Sequence, residues 1–199
     1  MLDRRAFVRQ LLTDRGDLLV VSGLGSATYD VAAAGDHPLN FYLWGAMGGT
    51  AMIGLGLALA RPERRIAVLT GDGDMLMGLG SLATIGAKQP KNLAIVVLDN
   101  QRYGETGMQA SHTAAGIDLV TTALACRFKH ARAVSRIDEA ADVRQLLQTG
   151  VGPILISARI DAEELPRVLP LRDGHVLKQR FIEASNLTCD RSPPLEGRT

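Results

Sequence analysis

A chain of 199 residues, 46% of them hydrophobic, is long enough for one well-buried domain with an ordinary globular core. Its 22 basic and 21 acidic residues leave a formal charge of +1, which gives no reason to expect a nucleic-acid partner or a polybasic membrane anchor, so any phosphate site must be local. No apolar run approaches the roughly 20 residues of a membrane helix, Asp3, Arg4 and Arg5 stand where a signal peptide would need an apolar core, and Cys126 and Cys189 are too widely spaced to read as a metal or redox pair; a cytoplasmic location is expected.

Phe7, Val8, Leu11 and Leu12 recur at helical spacing and predict an amphipathic helix over 3–12 with its charges outward. Residues 18–21 predict a strand, 22–26 the turn that leaves it, and 28–34 a short helix. Gly23 and Gly25 resemble a dinucleotide-binding turn, but Thr28 stands where its third glycine would be, so a packing turn is the better reading. Residues 36–42, with Pro38 and Asn40, read as a loop. After Gly45 a helix rich in small residues extends to Ala60. Trp44 has three open roles, in a pocket, at an interface or in the core.

Residues 66–69 and 93–98 are compact apolar runs, each predicting a buried strand, and residues 75–87 predict the crossover helix between them. Such a crossover makes the strands parallel. Asp72 and Asn100 then both lie at carboxyl ends, where open α/β sheets hold ligands. Gly71 and Gly73 permit a sharp turn and the close approach of an anion, and the helix start offers free N–H groups to phosphate oxygens. Asp72 and Asn100 supply hard oxygen ligands; with a backbone carbonyl and diphosphate oxygens they suit Mg²⁺. Asp74 either caps the next helix, the preferred reading, or positions a metal-bound water. Gly78 and Gly80 are expected to serve close packing, and Asp99 to hydrogen-bond nearby backbone.

Residues 105–113 are polar and small and predict a mobile loop whose chemical groups are Glu105, Thr106, Gln109 and His112. A helix over 117–125, strands over 131–134 and 153–158, and a helix over 138–147 follow. From Asp161 the chain is charged and proline-punctuated, with a further helix over 178–184. The alternation predicts a doubly wound, mainly parallel α/β sheet with helices on both faces, forming one domain over 1–184 with a flexible tail over 185–199.

Gly71-Asp72-Gly73, 26 intervening residues at positions 74–99 and then Asn100 resemble the thiamine-diphosphate motif of 2-oxo-acid decarboxylases and acetolactate synthases. The run from Phe41 to Gly48, the small-residue helix after it and the run from Tyr103 to Gln109 look like the sulfopyruvate and phosphonopyruvate decarboxylase branch. The resemblance covers most of residues 17–183. It implies the thiamin-diphosphate-binding fold, with Gly25 and Ser26 beside the cofactor. Gly45 would offer a backbone carbonyl to the aminopyrimidine, and Met47 would be the wedge that bends the cofactor. Gly71, Asp72, Gly73, Asp74, Asn100, Tyr103 and Gly104 would surround it, Asp72, Asn100 and the Arg102 backbone carbonyl would bind Mg²⁺, and Glu105 and His112 would face the reaction. Asp99 stands where many relatives carry another Asn.

In that family the activating glutamate belongs to a separate pyrimidine-binding domain. The resemblance therefore implies a β-type subunit, completed by a pyrimidine-domain (α) subunit in a hetero-oligomer and acting as a lyase on a small anionic 2-oxo acid to give an aldehyde and CO₂. An acetolactate-synthase-like carboligase subunit and a non-catalytic cofactor-binding scaffold are the alternatives. A 2-oxo-acid:ferredoxin oxidoreductase β subunit fits less well, because two cysteines cannot hold an iron–sulfur cluster unaided.

Overall fold

The computed structural model describes residues 1–186. Of the tail expected over 185–199, residues 187–199, with Cys189, lie outside the described residues, whereas Ser185 is buried and hydrogen-bonds to Phe181 O. In chain order the elements are α1 (Arg4–Leu12), β1 (Leu19–Ser22), α2 (Ser26–Ala33), β2 (Asn40–Tyr42), α3 (Thr50–Ala60), β3 (Ile66–Gly71), α4 (Asp72–Met77) and α5 (Ser81–Lys88). They continue with β4 (Leu93–Asp99), β5 (Arg102–Tyr103), β6 (Gln109–Ala110), α6 (Leu119–Ala125), β7 (His130–Val134), α7 (Ala140–Thr149), β8 (Ile154–Arg159) and α8 (Gly174–Ala184).

Six strands form one sheet in the order β2-β1-β3-β4-β8-β7, and every pairing in it is parallel. The predicted doubly wound α/β fold is the observed one. Both faces of the sheet are covered, which is why β3 and β4 read as unbroken apolar runs rather than alternating ones. Val20, Ala67, Leu69 and Val96 pack with Phe7, Val8 and Leu11 of α1 and Val143 of α7 in one core. Their neighbours Val21, Ile66, Val68 and Ile95 pack on the opposite face with Leu55 of α3, Ile85 of α5 and Ala123 of α6. No described helix is long and apolar enough to cross a membrane.

Three expectations need correction. Residues 40–42, read as loop, form β2, whose register on β1 pairs Val20 with Asn40 and Ser22 with Tyr42; three residues are too few to show a period. The crossover predicted as one helix is two, because the chain breaks at Gly78, where a Cβ would collide with the Gly48 carbonyl. Gly78 thus serves the close approach expected of it, whereas Gly80 faces open space. The charges of α1 do not all point outward, since Arg4 is only 6% exposed.

The winding fixes where a ligand belongs. From β1 the chain moves out to β2, then crosses back to β3 on the other side of β1. The crevice between the carboxyl ends of β1 and β3 is therefore a topological switch point, the place where open α/β sheets bind. Beyond β8, residues 161–173 run back past α2, where the Arg167 guanidinium lies over the Tyr29 ring. Trp44, half-buried, holds this segment through Nε1, which donates to Leu171 O at 3.1 Å, and through its ring, which lies 5.0 Å from the Arg172 guanidinium carbon.

Candidate active site

The cleft at the switch point encloses roughly 630 Å³ of empty space, part of it open to solvent, and its lining includes Met47, Gly71 to Asp74, Asn100, Arg102 to Glu105 and Arg4. Two strand ends deliver its chemistry. β3 ends at Gly71, and Asp72 opens α4; β4 ends at Asp99, and Asn100 follows. The adjacent pairing of Gly71 with Leu98 brings these ends side by side.

Asp72 is 1% exposed. Its Oδ2 accepts hydrogen bonds from Ser111 Oγ at 2.5 Å and Thr113 Oγ1 at 3.3 Å, while Oδ1 makes no hydrogen bond among the described residues. Burial raises the Asp72 carboxyl above the ordinary carboxylate range; the hydrogen bonds from Ser111 and Thr113 oppose this and the nearby Asp99 charge adds to it. Asp99 accepts from Gln101 N at 3.0 Å, the backbone contact expected of it, and from Thr113 Oγ1 at 2.8 Å, with Arg159 Nη2 at 3.3 Å. Asn100 Oδ1 accepts from Arg102 N at 2.9 Å, which fixes the turn out of β4.

The glycines divide by function. Gly71 has an extended backbone, and the space a Cβ would fill there is empty. At Gly73 a Cβ would fall 2.8 Å from the Tyr103 ring, so glycine is needed for ring contact. Gly25 has a φ of +73° and would drive a Cβ into the Glu105 carboxylate. Gly45 is exposed and outside the residues that line the cleft.

Asp74 does not cap a helix. It lies inside the first turn of α4, and neither α4 nor α5 has a side-chain cap. Its Oδ2 instead accepts from Thr50 Oγ1 at 2.5 Å and from Thr70 Oγ1, and its Oδ1 accepts from Gly48 N. These donors come from three separate elements and tie the loop carrying Met47 to β3. Ala46 at φ +58° and Gly48 at φ +85° shape that loop. Met47 borders a second, apolar recess with Gly73, Leu76, Met77, Tyr103 and His112.

The loop expected over 105–113 is anchored rather than free at its far end. Ser111 and Thr113 are 2% and 6% exposed because both reach Asp72. His112, between them, points the other way and takes a 2.7 Å hydrogen bond at Nδ1 with the Tyr103 hydroxyl. Glu105 is exposed at the cleft. Sequence reasoning missed Ser111 and Thr113, which sit where the chain leaves β6 and enters a turn, with no periodic signal to mark them. It also missed the buried Arg4 and Asp30.

These residues fit a diphosphate held through Mg²⁺. A desolvated carboxylate with one uncommitted oxygen, next to a second carboxylate, calls for a cation. The Gly71 space leaves room for a group where a side chain would otherwise stand. Among the described residues no group of three or more His, Cys, Asp or Glu is placed to hold a metal, so an ion here would draw on amide, carbonyl and ligand oxygens, as Mg²⁺ does.

Residues 23–158 match the family described as thiamine pyrophosphate enzyme, C-terminal TPP binding domain. Sulfopyruvate decarboxylase subunit beta of Methanothermobacter thermautotrophicus is 42% identical over 183 residues, covering 92% of this chain and 95% of that protein. Phosphonopyruvate decarboxylase of Streptomyces viridochromogenes is 38% identical over 159 residues, covering 77% of this chain; the match spans only 40% of that longer protein. Among solved structures, 2-oxoglutarate:ferredoxin oxidoreductase from Magnetococcus marinus superposes with a TM-score of 0.67 at 16% identity, over 89% of this chain and 74% of that one, a likeness of fold.

Proposed function

The chain belongs to the thiamine pyrophosphate enzymes, matching their C-terminal TPP binding domain, and from that premise we propose that it is the diphosphate- and Mg²⁺-binding subunit of a decarboxylase for a small anionic 2-oxo acid of the sulfopyruvate or phosphonopyruvate kind. The observation that carries the reading is Asp72, buried with one oxygen uncommitted, beside Asn100 at the switch point.

Asp72 and Asn100 side chains and the Arg102 backbone carbonyl would hold Mg²⁺, and backbone groups from Gly71 to Asp74 and at Gly104 would surround the diphosphate. When bound, thiamine diphosphate supplies a nucleophilic carbon and an electron sink for the loss of CO₂. Met47, which lines the cleft, would support the cofactor, and the Gly45 carbonyl would meet its pyrimidine end. Tyr103 orients His112 through Nδ1, which leaves Nε2 to hold or move a proton at the apolar recess beside Met47 and Gly73. Glu105 is the second group available for proton transfer there.

The partner is a pyrimidine-domain α subunit that brings the activating glutamate. Exposed apolar side chains support this: Met47 and Met77 border one apolar recess, Met52 and Leu59 stand seven residues apart on α3, and all four are at least 39% exposed. A cytoplasmic hetero-oligomer is the proposed assembly.

Calorimetric titration with thiamine diphosphate, with Mg²⁺ or with EDTA, tests the cradle. Binding should require Mg²⁺ and disappear in Asp72→Ala and Asn100→Ala. Reconstitution with a pyrimidine-domain subunit should then yield an aldehyde and CO₂. A new carbon–carbon bond would instead mark a carboligase, and Mg²⁺-dependent binding with no turnover of any 2-oxo acid would mark a scaffold.

A further inference from the structure

We propose that Arg4 is a diphosphate-binding residue, its guanidinium held at the cleft floor by Asp30 so that it meets the terminal phosphate of the cofactor. The inference rests on the thiamine-diphosphate reading above. It assigns a role to a residue that lies before the matched segment 23–158.

Arg4 opens α1 and is 6% exposed; Asp30 of α2 is fully buried. The Arg4 Nε lies 3.2 Å from Asp30 Oδ2, yet neither atom has a hydrogen bond of good geometry, and no other nitrogen of Arg4 has a hydrogen-bond partner among the described residues. The second guanidinium on Asp30 is differently engaged. Arg5 donates from Nε to Asp30 Oδ1 at 3.3 Å and from Nη2 to Pro166 O. Two arginines on one carboxylate leave a single net positive charge, and the uncommitted donors belong to Arg4.

The Arg4 guanidinium lines the cleft with N–H donors that Asp30 does not use, the groups an anion would meet. Arg4 borders both the main cleft and an adjoining recess, and it shares Ser26, Asn100, Gly104 and Glu105 with both. It is absent from the apolar recess of Met47, Tyr103 and His112. The guanidinium therefore stands on the Asn100 side of the cleft, in a recess that Met47 does not border. Its planar fork suits two phosphate oxygens at once. Glu105, Glu163 and Glu164 line the same recess, but none forms an ion pair with Arg4, whose sole ionic partner among the described residues is Asp30.

The test compares thiamine diphosphate with thiamine monophosphate, each with Mg²⁺, by calorimetry on the full chain. The native protein, Arg4→Gln, Arg4→Lys and the double variant Arg4→Gln/Asp30→Asn are measured; the double variant avoids stranding a buried carboxylate, and thermal melts confirm that each is folded. In Arg4→Gln and the double variant, thiamine diphosphate should bind roughly 10- to 100-fold more weakly, the size of a lost charge-assisted contact, with monophosphate affinity unchanged and part of the loss recovered by Arg4→Lys. Diphosphate affinity within twofold of native, or an equal loss for both ligands, overturns the role of Arg4 alone. Absence of Mg²⁺-dependent binding by the native chain overturns the thiamine reading and this proposal with it.

Discussion

Ser111 Oγ donates a 2.5 Å hydrogen bond to Asp72 Oδ2, joining the segment after β6 to the start of α4 across 39 positions of sequence. The bond orients the carboxylate that faces the cleft and leaves its other oxygen uncommitted. Groups that orient a metal-binding carboxylate from behind typically change affinity by about 10- to 100-fold when removed. Ser111→Ala should therefore weaken Mg²⁺-dependent thiamine diphosphate binding by on the order of 10-fold. Calorimetry would read the change. Unaltered affinity would mean that Thr113 alone suffices to orient Asp72.

The same carboxylate should oppose stability and function. Burial and the Asp99 charge disfavour ionised Asp72 in the folded chain, so Asp72→Asn, which keeps an acceptor for Ser111, removes an unfavourable charge. The ligand-free variant is expected to melt about 2–4 °C higher, the shift that about 1 kcal/mol produces in a domain of this size. It should also lose the stabilisation that Mg²⁺ and thiamine diphosphate confer on the native chain. Melting curves with and without both ligands check the two halves together.

What sequence could reveal divides along physical lines. Strands β3 and β4 were legible because both faces are buried, so every residue from Ile66 to Leu69 and from Leu93 to Leu98 is apolar. With their parallel order inferred, Asp72 and Asn100 fell at neighbouring ends without further information. Asp74 escapes the local capping rule because two of its donors, Gly48 before α3 and Thr50 at its start, come from more than 20 positions away. The place of Arg4 on an amphipathic helix predicts an outward side chain. Only the arrival of Asp30 from α2 makes an inward arginine tolerable.

Gly78 and Gly80 allow a test of close approach against mere flexibility. A Cβ at Gly78 would meet the backbone of Gly48, which cannot move without disturbing the Met47 loop. Gly78→Ala should destabilise the chain by about 1–3 kcal/mol, the usual cost of overpacking, and weaken cofactor binding. Gly80 has a helical φ of −60° and open space around it. Gly80→Ala should be neutral or stabilising by about 0.4–1 kcal/mol. Denaturant unfolding of the two variants side by side would separate these outcomes.

The last helix among the described residues carries a pH-dependent tether. Arg180 of α8 donates from Nη1 to Asp36 Oδ2 at 2.6 Å, and the Tyr42 hydroxyl of β2 donates to Asp36 Oδ1 at 2.8 Å. Burial acts to raise the Asp36 carboxyl, but the hydrogen bonds from Arg180 and Tyr42 outweigh it and hold the group below its ordinary range. A carboxyl depressed in the folded state contributes its full stabilisation above its unfolded pKa, about 3.9, and loses it as pH falls through the lower folded value. Asp36 is 49% exposed, so solvent screening limits the contribution to about 1 kcal/mol or less. Asp36→Asn should lower the melting temperature by about 1–3 °C at pH 6, and the gap to the native chain should close as pH falls below 3.9. A gap independent of pH would show that Asp36 acts through packing rather than charge, and hydrogen exchange of the α8 amides would locate whatever loosening occurs.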